Sequence, residues 1–161
     1  MSRSLSTAAK AAIYGPQTGE AFLILLKISH ASISSLYFVN DAQNVTSTVD
    51  GSSQTYLAFP FLIEMPDDTD ENVPTVKLMI DNVDRSIMDE IRSTLTGAPT
   101  ITTWIVLASS PNTIERGPDI FTCRSLEYDQ FAIEAELIYE DILNLQFPAD
   151  SFNPNNFAGI F

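Results

Sequence analysis

Between Ala21 and Tyr139 the apolar residues fall into short β-prone runs punctuated by turn residues, and this pattern limits the possible folds more than any other feature. Ala21 to Ile28 is apolar on both faces at its centre, and Leu36 to Val39 is closed by Asn40-Asp41. Asp50-Gly51 signals a hairpin turn. Tyr56 to Glu64 reads as one long strand with Pro60 inside it. Proline cannot donate to a ladder, so that strand is expected at a sheet edge or at a bulge. Val76, Leu78 and Ile80 alternate with a period of two, as a half-buried strand requires. Thr100 to Leu107 is rich in branched and aromatic residues. Pro111-Asn112 reads as a turn, and Phe121 to Leu126 and Phe131 to Tyr139 as two strands joined near Asp129-Gln130.

The count is roughly seven or eight strands, which predicts a mainly β fold: an antiparallel sandwich or barrel with one or two short helices. One helix is expected from Ser4 to Tyr14, where Leu5, Ala8, Ala9, Ala12 and Ile13 share a face and Gly15-Pro16 stops the run. The other follows the acidic turn Asp81-Asn82-Val83-Asp84, with Ile87, Met88, Ile91 and Leu95 on one face. Asp84, Ser86 and Asp89 are its expected capping residues, since carboxylates favour the positive end of a helix dipole. At 161 residues the chain suits a single domain, 1–161, with an N-terminal helix inside 1–15 and a C-terminal arm over 145–161.

The formal net charge of −13 disfavours capture of nucleic-acid phosphates or of an anionic membrane. The single cysteine, Cys123, rules out an intrachain disulfide and reads as a small packing residue. The single histidine, His30, stands at an expected strand end with no nucleophile-elbow glycines near any serine. One histidine and one cysteine cannot supply the usual zinc ligands, and no glycine-rich phosphate loop occurs. No catalytic residue, metal site or cofactor is expected. The loop Asp67 to Glu71 is dense in oxygen ligands but lacks the glycine and distal glutamate of an EF-hand, so it reads as solvated. A paired-carboxylate hydrolase built on Asp81, Asp84, Asp89 and Glu90 is the enzyme alternative, although capping explains the same residues with fewer assumptions. The run Ala21 to Leu26 is far too short to span a membrane, and no secretory segment is recognisable; the expectation is a soluble protein made in a cytosol. Near the C-terminus Phe147, Phe152, Phe157 and Phe161 stand among prolines and asparagines. Chain ends fray unless tied down, so large apolar residues there suggest docking.

Several stretches, taken in order, resemble an uncharacterised family of tailed-phage proteins. They are Tyr56-Leu57-Ala58-Phe59-Pro60-Phe61 through Pro66-Asp67-Asp68, Leu78 to Ile87, Val106-Leu107-Ala108-Ser109-Ser110-Pro111, Glu140 to Asn144, and Phe147-Pro148-Ala149-Asp150-Ser151-Phe152 to Phe161. The resemblance covers nearly the whole chain and rests on order and spacing. It implies a minor tail protein of a long, flexible-tailed phage, similar in role to lambda minor tail protein M and to distal tail proteins. Such proteins have a tube-type β fold flanked by a helix, assemble as rings and carry no catalytic residues. The implied partners are copies of the chain itself (six, with three as the alternative), tail tube and hub proteins, and DNA passing without specific binding. The implied location is the virion, with assembly in the host cytoplasm. In such a ring Pro60, Phe147, Phe152, Phe157 and Phe161 are candidate inter-subunit contacts, and Glu134, Glu136 and Glu140 candidate lumen-facing acids. A receptor- or carbohydrate-binding tail component is the binding alternative.

Overall fold

The computed structural model describes residues 5–64, 75–81, 98–128 and 132–139. Among them are one helix, α1 (Thr7–Tyr14), and nine strands: β1 (Phe22–His30), β2 (Ile33–Val39), β3 (Val45–Ser47), β4 (Gln54–Ala58), β5 (Phe61–Glu64), β6 (Thr75–Asp81), β7 (Thr100–Leu107), β8 (Ser110–Tyr128) and β9 (Ala132–Ile138). The mainly β expectation holds. All nine strands belong to one sheet in the order β3-β4-β2-β1-β7-β8-β9-β6-β5. Its ends, β3 and β5, do not pair with each other, so the sheet is not a closed barrel.

β8 organises this sheet. It is 19 residues long and changes partner along its length. Residues 110–122 pair with β7, and residues 122–128 pair with β9. Thr122 is the pivot, opposite Thr100 on one side and Ile138 on the other. The β7–β8 ladder shifts register three times, between Thr103 and Leu107. Extra residues bend a strand and increase its twist, which is how one sheet turns back over itself. Gly117, at φ +113°, sits in the first of these irregularities beside Pro118, whose missing N–H a bulge tolerates.

The bend brings the two ends of the sheet onto a shared core. Leu26, Ile28, Phe38 and Ile101 from β1, β2 and β7 pack with Phe121 and Cys123 of β8, Val76, Leu78 and Ile80 of β6, and Ile133, Ala135 and Leu137 of β9. The opposite face of β1 and β7 supplies a second cluster: Leu23, Leu25, Trp104 and Val106 with Val39 and Tyr56. A strand buried on both faces cannot alternate, which explains the unbroken apolar run at the centre of β1. Each such fully buried side chain contributes about 1.5–3 kcal/mol. At this end β3 meets the start of β8 through side chains instead of a ladder: Ser47 Oγ donates to the Pro111 carbonyl at 2.6 Å, and Asn112 Oδ1 accepts from the Thr48 N–H at 3.0 Å.

Helix α1 is held at its start. Ser6 caps it by accepting the Ala9 N–H at 3.1 Å, so the helix begins at Thr7 and not at Ser4. The same residue donates its N–H and its Oγ–H to the two oxygens of Glu115, at 2.8 and 2.6 Å. Glu115 is only 7% exposed; its charge lies at the positive end of the helix, which favours it there. Gly15 ends the helix, as the sequence indicates.

Four expectations need correction. Tyr56 to Glu64 is not one strand: β4 and β5 are separated at Phe59-Pro60 and lie near opposite ends of the sheet order. Pro60 breaks the ladder instead of sitting in it. Pro111-Asn112 is not the turn; the chain reverses at Ala108-Ser109, and Pro111 is already in β8, in the irregular stretch between Ser110 and Ile114. The pairing is not uniformly antiparallel, because β2 and β4 run parallel. Among the described residues the strands already number nine, not seven or eight. The hairpin at Asp50-Gly51 is present between β3 and β4, with Gly51 at φ +83°. The helix expected after Asp84, with Asp84, Ser86 and Asp89, lies outside the described residues, as do the loop 67–71, Glu140, Phe147, Phe152, Phe157 and Phe161.

Candidate functional site

Alternation along β6 and β9 divides their residues between the core and an outer face. Ile133, Ala135 and Leu137 are buried, which leaves Glu134 and Glu136 exposed. Cross-strand register then assembles two rows on the outer face. One row runs Leu62, Met79, Glu134, Glu127; the other runs Glu64, Lys77, Glu136, Ser125. The face thus carries four glutamates against one lysine. Among the described residues none of these glutamates lies within 4.0 Å of a cationic nitrogen. Ser125 Oγ donates to Glu136 at 3.2 Å. Glu127 and Glu134 stand directly opposite each other, a like-charge pairing that weakens a sheet.

This face borders the open edge of the sheet. β5 has β6 on one side and no ladder partner on the other among the described residues. Pro60 immediately precedes it and lines a shallow groove with Asn40, Phe59, Phe61, Leu62 and Met79. Leu62 and Met79 are cross-strand neighbours, 54% and 44% exposed. An edge strand of this kind is a template for pairing with another chain. The edge thus joins two candidate features, Pro60 and the glutamates, on one side of the molecule.

Residues 8–152 match the family described as Domain of unknown function (DUF1833). The chain belongs to that family. No curated protein matches the sequence.

The remaining sequence candidates of this DUF1833 chain fall elsewhere. His30 ends β1, and its Nδ1 accepts the Ser32 N–H at 3.2 Å, a local turn contact. Cys123 is buried in the shared core, where loss of solvation pushes its thiol pKa up from 9.0. His30, Cys123 and Arg124 all border an apolar cavity of about 340 Å³ between the two halves of the sheet. Among the described residues no group of three or more His, Cys, Asp or Glu could hold a metal ion, and no helix is long and apolar enough to cross a membrane.

Two polar clusters escaped the sequence reading. One is the Ser6–Glu115 contact, which spans 109 positions of sequence. The other joins Lys27 of β1 and Tyr37 of β2 to Asp50 in the hairpin turn. Lys27 Nζ lies 3.0 and 2.8 Å from the two Asp50 oxygens, and the Tyr37 hydroxyl donates to Asp50 Oδ2 at 3.0 Å. The hydrogen bond to Asp50 holds the Lys27 pKa above its ordinary 10.5, despite partial desolvation. Desolvation first, and then Asp50, raises Tyr37 above 10.0. The only sequence signal was Asp50 beside Gly51, which marks a turn but not its partner.

These shifts have one sign. The folded protein holds its protons on Lys27, Tyr37, Tyr56 and Cys123 more tightly than the unfolded chain does. Their stabilisation is therefore complete below the unfolded values and is lost as pH rises through the folded ones. Urea midpoints should stay level up to about pH 9 and fall steadily from there towards pH 11. A midpoint independent of pH across that range would contradict the hydrogen bond of Lys27 to Asp50 and the desolvation of Tyr37, Tyr56 and Cys123.

Proposed function

We propose that this DUF1833 chain is a structural protein of a tailed-phage particle, a ring subunit at the tail tip between the tail tube and the hub or fibre-bearing baseplate. The observation that carries this reading is the juxtaposition of a sheet edge, β5, that has no ladder partner among the described residues, with an outer face where the described residues place Glu64, Glu127, Glu134 and Glu136 against Lys77. An open edge supplies a surface for a second copy. An anionic face suits a conduit wall, since it repels DNA phosphates and keeps the passing duplex from adhering. The net charge of −13 points the same way. The resemblance of several sequence stretches, taken in order, to an uncharacterised family of tailed-phage proteins supplies the biological setting. Six copies is the preferred number, with three as the alternative.

The hydrolase alternative calls for two convergent buried carboxylates. Among the described residues the buried carboxylate is Glu115, and both of its oxygens are engaged by Ser6. The side chains on which that alternative rests, those of Asp81, Asp84, Asp89 and Glu90, lie outside the described residues.

The ring reading is tested by truncation and by imaging. A chain ending at Ser151 removes Phe152, Phe157 and Phe161 while keeping nearly all of the residues that match the family. It should remain a folded monomer by circular dichroism and native mass spectrometry, and should fail to enter tail tips when it replaces the full chain. Normal incorporation of the truncated chain would remove the arm from the assembly interface. A reconstruction of the ring that placed Glu134, Glu136 and Glu140 all on the outer wall would overturn the lumen assignment.

A further inference from the structure

The two ends of the sheet are not equivalent. At one end β3 is engaged by the start of β8 through Ser47 and Asn112. At the other end β5 has no ladder partner among the described residues. Its inner residues Phe61 and Ile63 pack on the shared core yet stay only half-buried, and its outer Leu62 is exposed beside Met79. Such an edge takes an extended segment whose side chains alternate with the same period of two.

The sequence holds one in the C-terminal arm. Leu143, Leu145 and Phe147 alternate with Asn144 and Gln146, Pro148 closes the run, and residues 142–149 carry no charge. Side by side with β5, the apolar set would extend the core side of Phe61 and Ile63, and the two amides would lie on the outer face with Leu62 and Glu64. Two other occupants fit less well. A second β5 would close the assembly at two copies and set two glutamate-rich faces side by side. The chain's own arm is too short a tether, because three residues separate Tyr139 from Leu143. They span at most about 14 Å, and the free side of β5 lies three strand spacings, also about 14 Å, from β9. Tyr139 uses up part of that reach by packing on Phe121 of β8. We propose that β5 is completed by residues 143–147 of a second copy, added to the sheet as a further strand. This rests on the ring reading and names the contact that links one subunit to the next.

The test uses the full chain with one new cysteine on each segment. Leu62→Cys combined with Asn144→Cys, and separately with Gln146→Cys, puts both thiols on the outer face, while Cys123 is buried in the core. Oxidation of the purified protein should give disulfide-linked chains of two and more copies on a denaturing gel from at least one of the two pairings. Chains that each carry a single one of these cysteines should link only when mixed. Adding Leu145→Pro should abolish the link, since proline cannot donate to a ladder. Four results would each overturn the proposal: a disulfide within one chain, the mark of the chain's own arm; a link from Leu62→Cys alone, the mark of β5 pairing with itself; no link from either pairing; or a link that survives Leu145→Pro. Linked copies in solution together with tail tips that lack the chain would sink the ring reading and leave this contact standing. Rings that still form from the Leu145→Pro chain would sink this contact alone.

Discussion

Replacing Phe121 by alanine is expected to remove about 3–5 kcal/mol of stability, a large part of the ~5–15 kcal/mol that a domain possesses. Phe121 is 0% exposed and lies in β8 one residue before the pivot Thr122, where the strand changes partner from β7 to β9. Its ring packs against Tyr139 with centroids 4.7 Å apart, and it belongs to the core shared by both halves of the sheet. Truncation therefore leaves a cavity where neither half can easily collapse into it. Equilibrium urea unfolding followed by Trp104 fluorescence gives the number directly, and Phe121→Leu should cost much less. A loss below about 1 kcal/mol would mean that the two halves do not close on this ring.

The second large effect is expected at Gly117. Its φ of +113° is a conformation that side chains rarely adopt, and a Cβ there would meet the Thr103 carbonyl oxygen at 2.7 Å and the Trp104 Cα at 3.2 Å. Both obstacles are backbone, so no rotamer change relieves them. Gly117→Ala should cost at least about 2 kcal/mol from strain and displacement together. Gly19→Ala is the control, since nothing lies within 4 Å of its would-be Cβ. Calorimetry should show a marked fall in melting temperature for the first variant and little change for the second. Equal behaviour would argue against a tight bulge in β8.

The strands that the sequence announces clearly are those with one buried face or two. Val76, Leu78 and Ile80 alternate because β6 has a core side and an outer side, and Ile133, Ala135 and Leu137 alternate for the same reason. Glu134 and Glu136 were therefore legible as outward residues. The first half of β8 was not legible: Pro111, Asn112, Gly117 and Pro118 are turn-forming residues, and they fall in the irregularities of a strand whose pairing with β7 is made by Ser110, Ile114, Arg116 and Asp119. Nor could Glu64 and Glu127 be grouped with Glu134 and Glu136, because cross-strand neighbours depend on register and strand order.

The alternation, the turn residues and the Ser6 cap are local signals, acting over a few residues through backbone sterics and side-chain periodicity. They determined the class of fold, most strand positions, the end of α1 and the acidic character of the chain. Which strands pair, and the change of partner at Thr122, are set by contacts between residues far apart in sequence. So are the Glu115 seat for α1 and the meeting of an anionic face with an open edge. These were decided only when the sheet folded back over a common core, because burying both halves together removes more apolar surface from water than any local arrangement can.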